Sequence, residues 1–190
     1  MADVEDACIP EEPVPVPAGD HNAVDVSFAQ QMIPHHRQAL AMAELADTRA
    51  ASPQVKALAM KIKAAQNPEI IQMSAWLSAW GQQVPTDGGM SGMPGMTHSM
   101  APGSSMPGMS MPSMPGMMGD GDMAKLQSLS GAEFDKAFLA GMIAHHEGAV
   151  TMAKDETAKG TYEPAKKMAE SISTSQAAEI AEMKQLLGNG

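Results

Sequence analysis

The chain has 190 residues and a formal net charge of −10, from 12 basic and 22 acidic side chains. Such a chain lacks the basic surface that binds nucleic acid and the basic amphipathic helix that binds anionic membranes. None of its apolar runs is long enough to cross a bilayer. We therefore expect neither a nucleic-acid partner nor insertion into a membrane.

Methionine is the unusual component of this sequence. There are 20 methionines but only 3 Phe, 1 Tyr and 2 Trp, whereas most proteins build their cores from Leu, Val and Ile and use Met to fill gaps. The single cysteine, Cys8, excludes both an internal disulfide and the paired thiolates of many metal sites. A methionine excess this large needs its own explanation.

Changes in composition divide the chain into four segments, which are residues 1–22, 23–84, 85–124 and 125–190. The first segment is an acidic, proline-rich tail that we expect to be disordered. The second and fourth have helical composition, and each is predicted to form a hairpin of two helices. Pro68 is expected to kink or divide the second helix. The third is a flexible linker, rich in Met, Gly and Pro, without helical or strand periodicity.

The two hairpins are copies of one sequence pattern, separated by 110 residues. The segment from Phe28 to His36 matches the segment from Phe138 to His146. The same offset pairs further residues, which are Met42 with Met152, Gln66 with Gln176, Glu69 with Glu179, and Met73 with Met183. Two duplicated amphipathic hairpins that bury their apolar faces predict an all-α four-helix bundle.

Each copy places two imidazoles and two thioethers within a narrow arc of its first helix, at about 100° per residue. These predicted ligands are Met32, His35, His36 and Met42 in one copy, and Met142, His145, His146 and Met152 in the other, with Met73 and Met183 added from the second helices. The side chains of adjacent helical residues point in different directions. One histidine of each pair is therefore expected to face the inside of the bundle, and the other is expected to face its rim. Thioether and imidazole together suit Cu(I), Ag(I) and, less well, Cu(II). The alternative is that the methionines form the core and the histidines lie on the surface.

The linker repeats methionine at spacings of two or three residues, with one histidine among them. Its predicted ligands are Met93, Met96, His98, Met100, Met106, Met109, Met111, Met114 and Met117. A flexible segment of this kind can wrap a soft ion without a preformed pocket, although ordering the chain costs entropy. The alternative is that these exposed methionines consume oxidants.

The motifs that contain the two histidine pairs resemble those of the DUF305 family, which includes a periplasmic copper-binding protein. The second-helix patterns from Gln66 to Met73 and from Gln176 to Met183 strengthen the resemblance. It implies a ferritin-like four-helix bundle, export from the cytoplasm, and binding of copper or silver by Met and His. The second copy has Ala144 where the first has Pro34, a departure that removes no predicted ligand.

The leading hypothesis is a protein, not an enzyme, that sequesters or carries Cu(I), with Cu(II) and silver as further ions, for metal resistance or homeostasis. We expect it in the periplasm or secreted, with its signal peptide removed, and consider a metal-transfer protein and a metal-dependent oligomer as partners. A ferritin-like metal oxidase is one alternative, weakened because no Glu stands three residues before a histidine. A Met-rich interaction or oxidant-scavenging module is another.

Overall fold

The computed structural model of the protein describes residues 15–86 and 114–188. Its elements are α1 (Ala23–Arg49), α2 (Pro53–Ala79), α3 (Asp120–Ser128), α4 (Gly131–Lys159) and α5 (Glu163–Gly188). Within these residues the only β-type pairing is one isolated bridge between Ala50 and Gly131. The predicted all-α bundle of four long helices is confirmed, and one short helix is added to it. The predictions for residues 1–14 and 87–113 lie outside the described part.

Local sequence explains where the first two helices begin. Asn22 caps α1 by accepting hydrogen bonds from the backbone of Val24 and Asp25, and Asp25 bonds back to the Asn22 amide. Ser52 caps α2, with Pro53 at its first position. Pro68 lies inside α2, which continues unbroken to Ala79. Of the two expectations for this proline, division of the helix is wrong and a kink stays a prediction.

The short helix α3 was not predicted, because it begins within the segment that shows no helical periodicity and crosses its boundary with the second hairpin. Acidic residues in its first turn interact favourably with the helix dipole and stabilise the helix. Leu126 is its one buried side chain. Leu126 joins the core beside α4. Gly131, with φ of +66°, provides the left-handed turn that separates α3 from α4.

Two equivalent aspartates hold the hairpins together. Asp25, in the first turn of α1, accepts hydrogen bonds from the backbone of Thr161 and Tyr162 in the α4–α5 turn, at 3.1 and 3.0 Å. Asp135, near the start of α4, accepts them from Ala51 and Ser52 in the α1–α2 turn, at 3.2 and 2.8 Å. Each hairpin therefore caps the turn of the other, as the duplication of the sequence requires.

The helices pack within each hairpin, and α1 packs against α4 to join the two. Two apolar clusters fill the bundle, one containing Met42, Phe138 and Met183, the other Met32, Trp76 and Tyr162. Between the clusters lies a polar layer, made of His35, His36, Gln66 and Glu69 with their counterparts His145, His146, Gln176 and Glu179. The duplicated motif therefore places its polar residues at the middle of the bundle. Among the described residues, no helix combines the length and apolar character needed to span a membrane.

Candidate metal centre

The two histidine pairs meet where α1 crosses α4. The rings of His35 and His145 lie with their centroids 3.8 Å apart and their planes inclined by 39°. All four histidines are buried, none more than 1% exposed, so the expectation that one of each pair faces the rim is wrong. Adjacent positions on α1 diverge by about 100°, but α2 covers one side of α1 and α4 covers another. Both directions therefore point into the protein.

His35 and His145, whose rings are in contact, are called the inner histidines, and His36 and His146 the outer histidines. Each outer histidine is bonded to a glutamate of the following helix. His36 Nε2 lies 2.7 Å from Glu69 Oε2, and His146 Nε2 lies 2.8 Å from Glu179 Oε2. Neither carboxylate was among the predicted site residues. The signal was present, because Glu69 and Glu179 are themselves equivalent in the two copies.

A backbone segment near Pro115 lies against His35, the inner histidine of α1. His35 Nε2 lies 3.0 Å from the carbonyl oxygen of Pro115. This segment, residues 114–119, is called the strap below. Gln38 holds it by donating to the Met118 carbonyl at 2.9 Å and accepting from the Met118 amide at 2.7 Å. The end of the Met-rich linker therefore rests directly on the histidine layer.

Glycine lets the strap lie this close to α4. A Cβ on Gly148 would collide with the Pro115 carbonyl, and one on Gly116 would meet the backbone of Ala144 and His145. Gly116 also has φ of +78°, a conformation that other residues rarely adopt. Among the described residues, no equivalent segment is bonded to His145, so the two inner histidines have unequal surroundings.

Many polar atoms of the layer lack a hydrogen-bond partner in the described part of the chain. They are Nδ1 of His35, His36, His145 and His146, Nε2 of His145, both side-chain polar atoms of Gln66, and Oε1 of Gln176. An unsatisfied buried polar group costs about 1–3 kcal/mol, and an ion that uses its lone pair is one explanation for such a group.

The inner imidazoles are held neutral. Burial, with smaller contributions from the neighbouring imidazoles, lowers the pKa of His145 to about 2. Burial likewise lowers the pKa of His35 to about 4, although its bond to the Pro115 carbonyl acts in the other direction. A neutral imidazole retains a nitrogen lone pair, which is what a metal ion requires of it. The donor set therefore fits a soft or borderline metal ion.

The predicted thioether ligands of the bundle lie in the apolar clusters that flank the polar layer. Five of them are fully buried and Met152 is partly buried; the five are Met32, Met42, Met73, Met142 and Met183. Met32 precedes His35 by three residues, and Met142 stands in the same relation to His145, so each pair shares a helix face. These positions suit both core packing and metal ligation, and their role as ligands remains a prediction.

Of the predicted linker ligands, Met114 and Met117 lie in the strap and are partly buried. Met118, which was not predicted, packs beside Met42, near Gly141. The others lie outside the described residues, namely Met93, Met96, His98, Met100, Met106, Met109 and Met111. Within residues 15–86 and 114–188, no group of three or more His, Cys, Asp or Glu side chains is arranged to hold a metal ion. The imidazoles of the polar layer are therefore close together, but in the described part of the chain they are not arranged around a common metal position.

The sequence matches the family DUF305, a domain of unknown function, over residues 25–187. No curated protein sequence matches the chain.

Several solved structures are similar to the chain. A DUF305 protein of Streptomyces coelicolor, assigned as secreted, is 32% identical, with 87% of this chain and 93% of that chain covered and a TM-score of 0.71. A DUF305 fragment of Deinococcus radiodurans is 28% identical, with coverage of 90% and 100% and a TM-score of 0.70. CopM in its Cu(II)-bound form is 32% identical, with coverage of 87% and 96% and a TM-score of 0.66. CopM structures with Cu(I) and with silver also match. The chain belongs to the DUF305 family.

Proposed function

We propose that this protein binds soft metal ions, Cu(I) above all and Ag(I) in its place, and sequesters or carries them outside the cytoplasm. The observation that carries the proposal is the polar layer, in which each of four buried imidazoles has at least one nitrogen atom without a hydrogen-bond partner in the part of the chain that the structure describes. A fold that retains such atoms at its centre loses stability in the metal-free state. Selection for an ion that uses those lone pairs would explain why they are retained.

The donor types favour a soft ion over a hard one. Mg²⁺ and Ca²⁺ require oxygen ligands, whereas the carboxylates of Glu69 and Glu179 are each bonded to an imidazole. Thioethers flank the layer at both ends, and soft sulfur donors select Cu(I). CopM, about 30% identical to this chain, is known in forms bound to Cu(II), Cu(I) and silver. We therefore extend copper and silver binding to this chain.

We propose two kinds of site. The polar layer, with Met32 and Met142 beside it, would exchange its ion slowly because its histidines are buried. The linker methionines from Met93 to Met117 would exchange ions faster, since they need no preformed pocket. The strap connects the two and offers a route between them. Delivery to a metal-transfer protein, or a metal-dependent oligomer, would use the faster sites.

Binding is favoured over oxidase chemistry. A di-iron bundle uses a glutamate from each of two helices and a Glu-x-x-His motif from each of the other two. In the polar layer, two glutamates each bond a single imidazole. The likeness to a protein assigned as secreted favours a place outside the cytoplasm, in the periplasm or beyond it.

A competition titration with Cu(I), under reducing and anaerobic conditions, tests the proposal. We compare the natural chain with a core variant, His35→Leu and His145→Leu, and with a linker variant in which Met93, Met96, Met100, Met106, Met109 and Met111 become Leu. His21→Leu is the matched control, because His21 stacks on Trp80 away from the polar layer. We expect both variants to bind fewer Cu(I) ions per chain than the natural chain, by different numbers. The control should bind as many as the natural chain. Failure of the natural chain to retain Cu(I) against the competitor would refute metal binding and favour oxidant scavenging or protein docking.

A further inference from the structure

Three of the four histidines in the polar layer are anchored through the same ring nitrogen. His36 and His146 bond a carboxylate through Nε2, and His35 bonds a backbone carbonyl through Nε2. In all three rings Nδ1 is buried and has no partner among the described residues. The same ring nitrogen is therefore anchored in both copies and by two kinds of acceptor, and Nδ1 is the nitrogen left over each time.

The anchoring groups determine where the ring proton lies. A carbonyl oxygen, or an ionised carboxylate, can only accept a hydrogen bond, so an imidazole bonded to it must donate. A neutral imidazole has one N–H and one lone pair. With the proton on Nε2, the lone pair is on Nδ1, the atom that has no partner.

We infer that Glu69 and Glu179 are positioning residues that fix the Nε2–H form of His36 and His146, so that both rings bind a soft metal ion through Nδ1. The inference rests on the proposed function and specifies the atoms that perform it. A carboxylate bonded to the far nitrogen also makes the imidazole a more basic ligand and prevents the ring from turning. The Pro115 carbonyl has the orienting role for His35, without the charge.

A different arrangement would use the same residues. The metal could replace the proton between His36 and Glu69, and would then be held by Nε2 and the carboxylate together. The two arrangements differ in which nitrogen is bonded to the metal. They can therefore be separated on the natural chain, without a substitution that might disturb folding.

The experiment uses ¹⁵N-histidine-labelled protein loaded with Ag(I), which is diamagnetic and stable in air. The spin of the silver nucleus splits the NMR signal of a nitrogen that is bonded to it. We expect the metal-free protein to show Nε2–H for His36 and His146, and the silver form to show shifted, split signals at Nδ1. Shifts at Nε2 instead would overturn the inference in favour of a metal held by the carboxylate.

Two further outcomes separate this inference from the proposed function. If silver is retained while the nitrogen signals of His36 and His146 stay unchanged, metal binding stands, through thioethers, and the positioning role is wrong. If no silver is retained, the proposed function fails as well.

Substitutions provide an independent measurement. Glu69→Ala together with Glu179→Ala should lower Ag(I) affinity by about 10–100-fold and should leave His36 and His146 as mixtures of both tautomers in the metal-free protein. The matched control is Glu147→Ala with Glu182→Ala, whose partners are the exposed Lys184 and Lys61. The control should retain wild-type affinity and tautomers. Equal affinities in the two double variants, or an unchanged tautomer after loss of the carboxylates, would refute the positioning role.

Discussion

His35 and His145 occupy equivalent positions in the two copies, and their rings are in contact at the centre of the bundle, 3.8 Å between centroids. Their surroundings nevertheless differ. The Nε2 atom of His35 is bonded to the Pro115 carbonyl, whereas neither nitrogen of His145 has a hydrogen-bond partner in the described part of the chain. The two copies therefore differ in that the strap anchors His35 and does not anchor His145.

Replacing His145 should stabilise the metal-free protein. His145→Leu removes two unsatisfied nitrogen atoms and keeps a side chain of comparable volume, so we expect a gain of about 1 kcal/mol in the free energy of unfolding. His146→Leu should have the opposite effect, a loss of about 1–3 kcal/mol, because it leaves the Glu179 carboxylate buried without its partner. Urea unfolding in the presence of a chelator measures both. Changes of the same sign in the two variants would contradict our account of the polar layer.

The two aspartate caps should contribute similarly to stability. Asp135→Ala leaves the backbone amides of Ala51 and Ser52 without an acceptor, which should lower the free energy of unfolding by about 1–3 kcal/mol. Asp25→Ala should cost at least as much, because Asp25 also completes the cap of α1. Asp47→Ala is the control, since its ion pair with Lys63 is at the surface and is worth about 0–1 kcal/mol. Thermal unfolding would contradict the prediction if all three variants behaved alike.

The carboxyl group of Glu156 should make stability depend on pH. Burial raises its pKa to about 8, and the adjacent Asp25 carboxylate adds to the effect, both as an acceptor for the Glu156 proton and through its negative charge. Lys166 acts in the opposite direction, and Asp155 adds slightly. Burial alone would raise the pKa of Asp25, but hydrogen bonds with Glu156 and backbone amides lower it overall. Glu156 is therefore the protonated member of this pair at neutral pH.

The direction of the pH effect follows from proton binding. Below about pH 4.5 Glu156 is protonated in both the folded and the unfolded chain, so its contribution to stability is complete. As the pH rises toward 8, the unfolded chain releases this proton before the folded chain does, and stability falls. Glu156→Gln should remove this decline, so that its advantage over the natural chain grows between pH 5 and 8 to about 1–3 kcal/mol. Asp155→Asn, an exposed control, should keep the wild-type slope; a parallel pH profile for Glu156→Gln would show that Glu156 does not titrate in this range.

The strap should depend on the absence of a side chain at Gly148. Gly148→Ala places a methyl group against the Pro115 carbonyl, so the strap must lift or the helix must shift, at a cost of about 1–3 kcal/mol. Limited proteolysis near Pro115 should then become faster. Gly121→Ala is the matched control, because it lies in α3 with open space around it and should gain about 0.5–1 kcal/mol. Unchanged proteolysis in Gly148→Ala would mean that the strap is not held by this contact.

Local sequence was sufficient for the helices and for their duplication. The offset that joins His35 to His145 repeats along the chain, and the helical composition of the hairpins acts over a few residues. They predicted a bundle of four long helices, and imidazole donors at its first and third long helices. The short helix α3 escaped prediction because one buried side chain, Leu126, produces no periodicity.

The surroundings of the donors were decided by tertiary structure. Glu69 reaches His36 from the neighbouring helix, and Pro115 reaches His35 from a segment 80 residues away. Helical periodicity predicts which residues share a face of one helix. Which residues of other helices cover that face depends on the rotation and register of the packed helices. That packing buried both histidines of each pair, where sequence alone expected one of them at the rim.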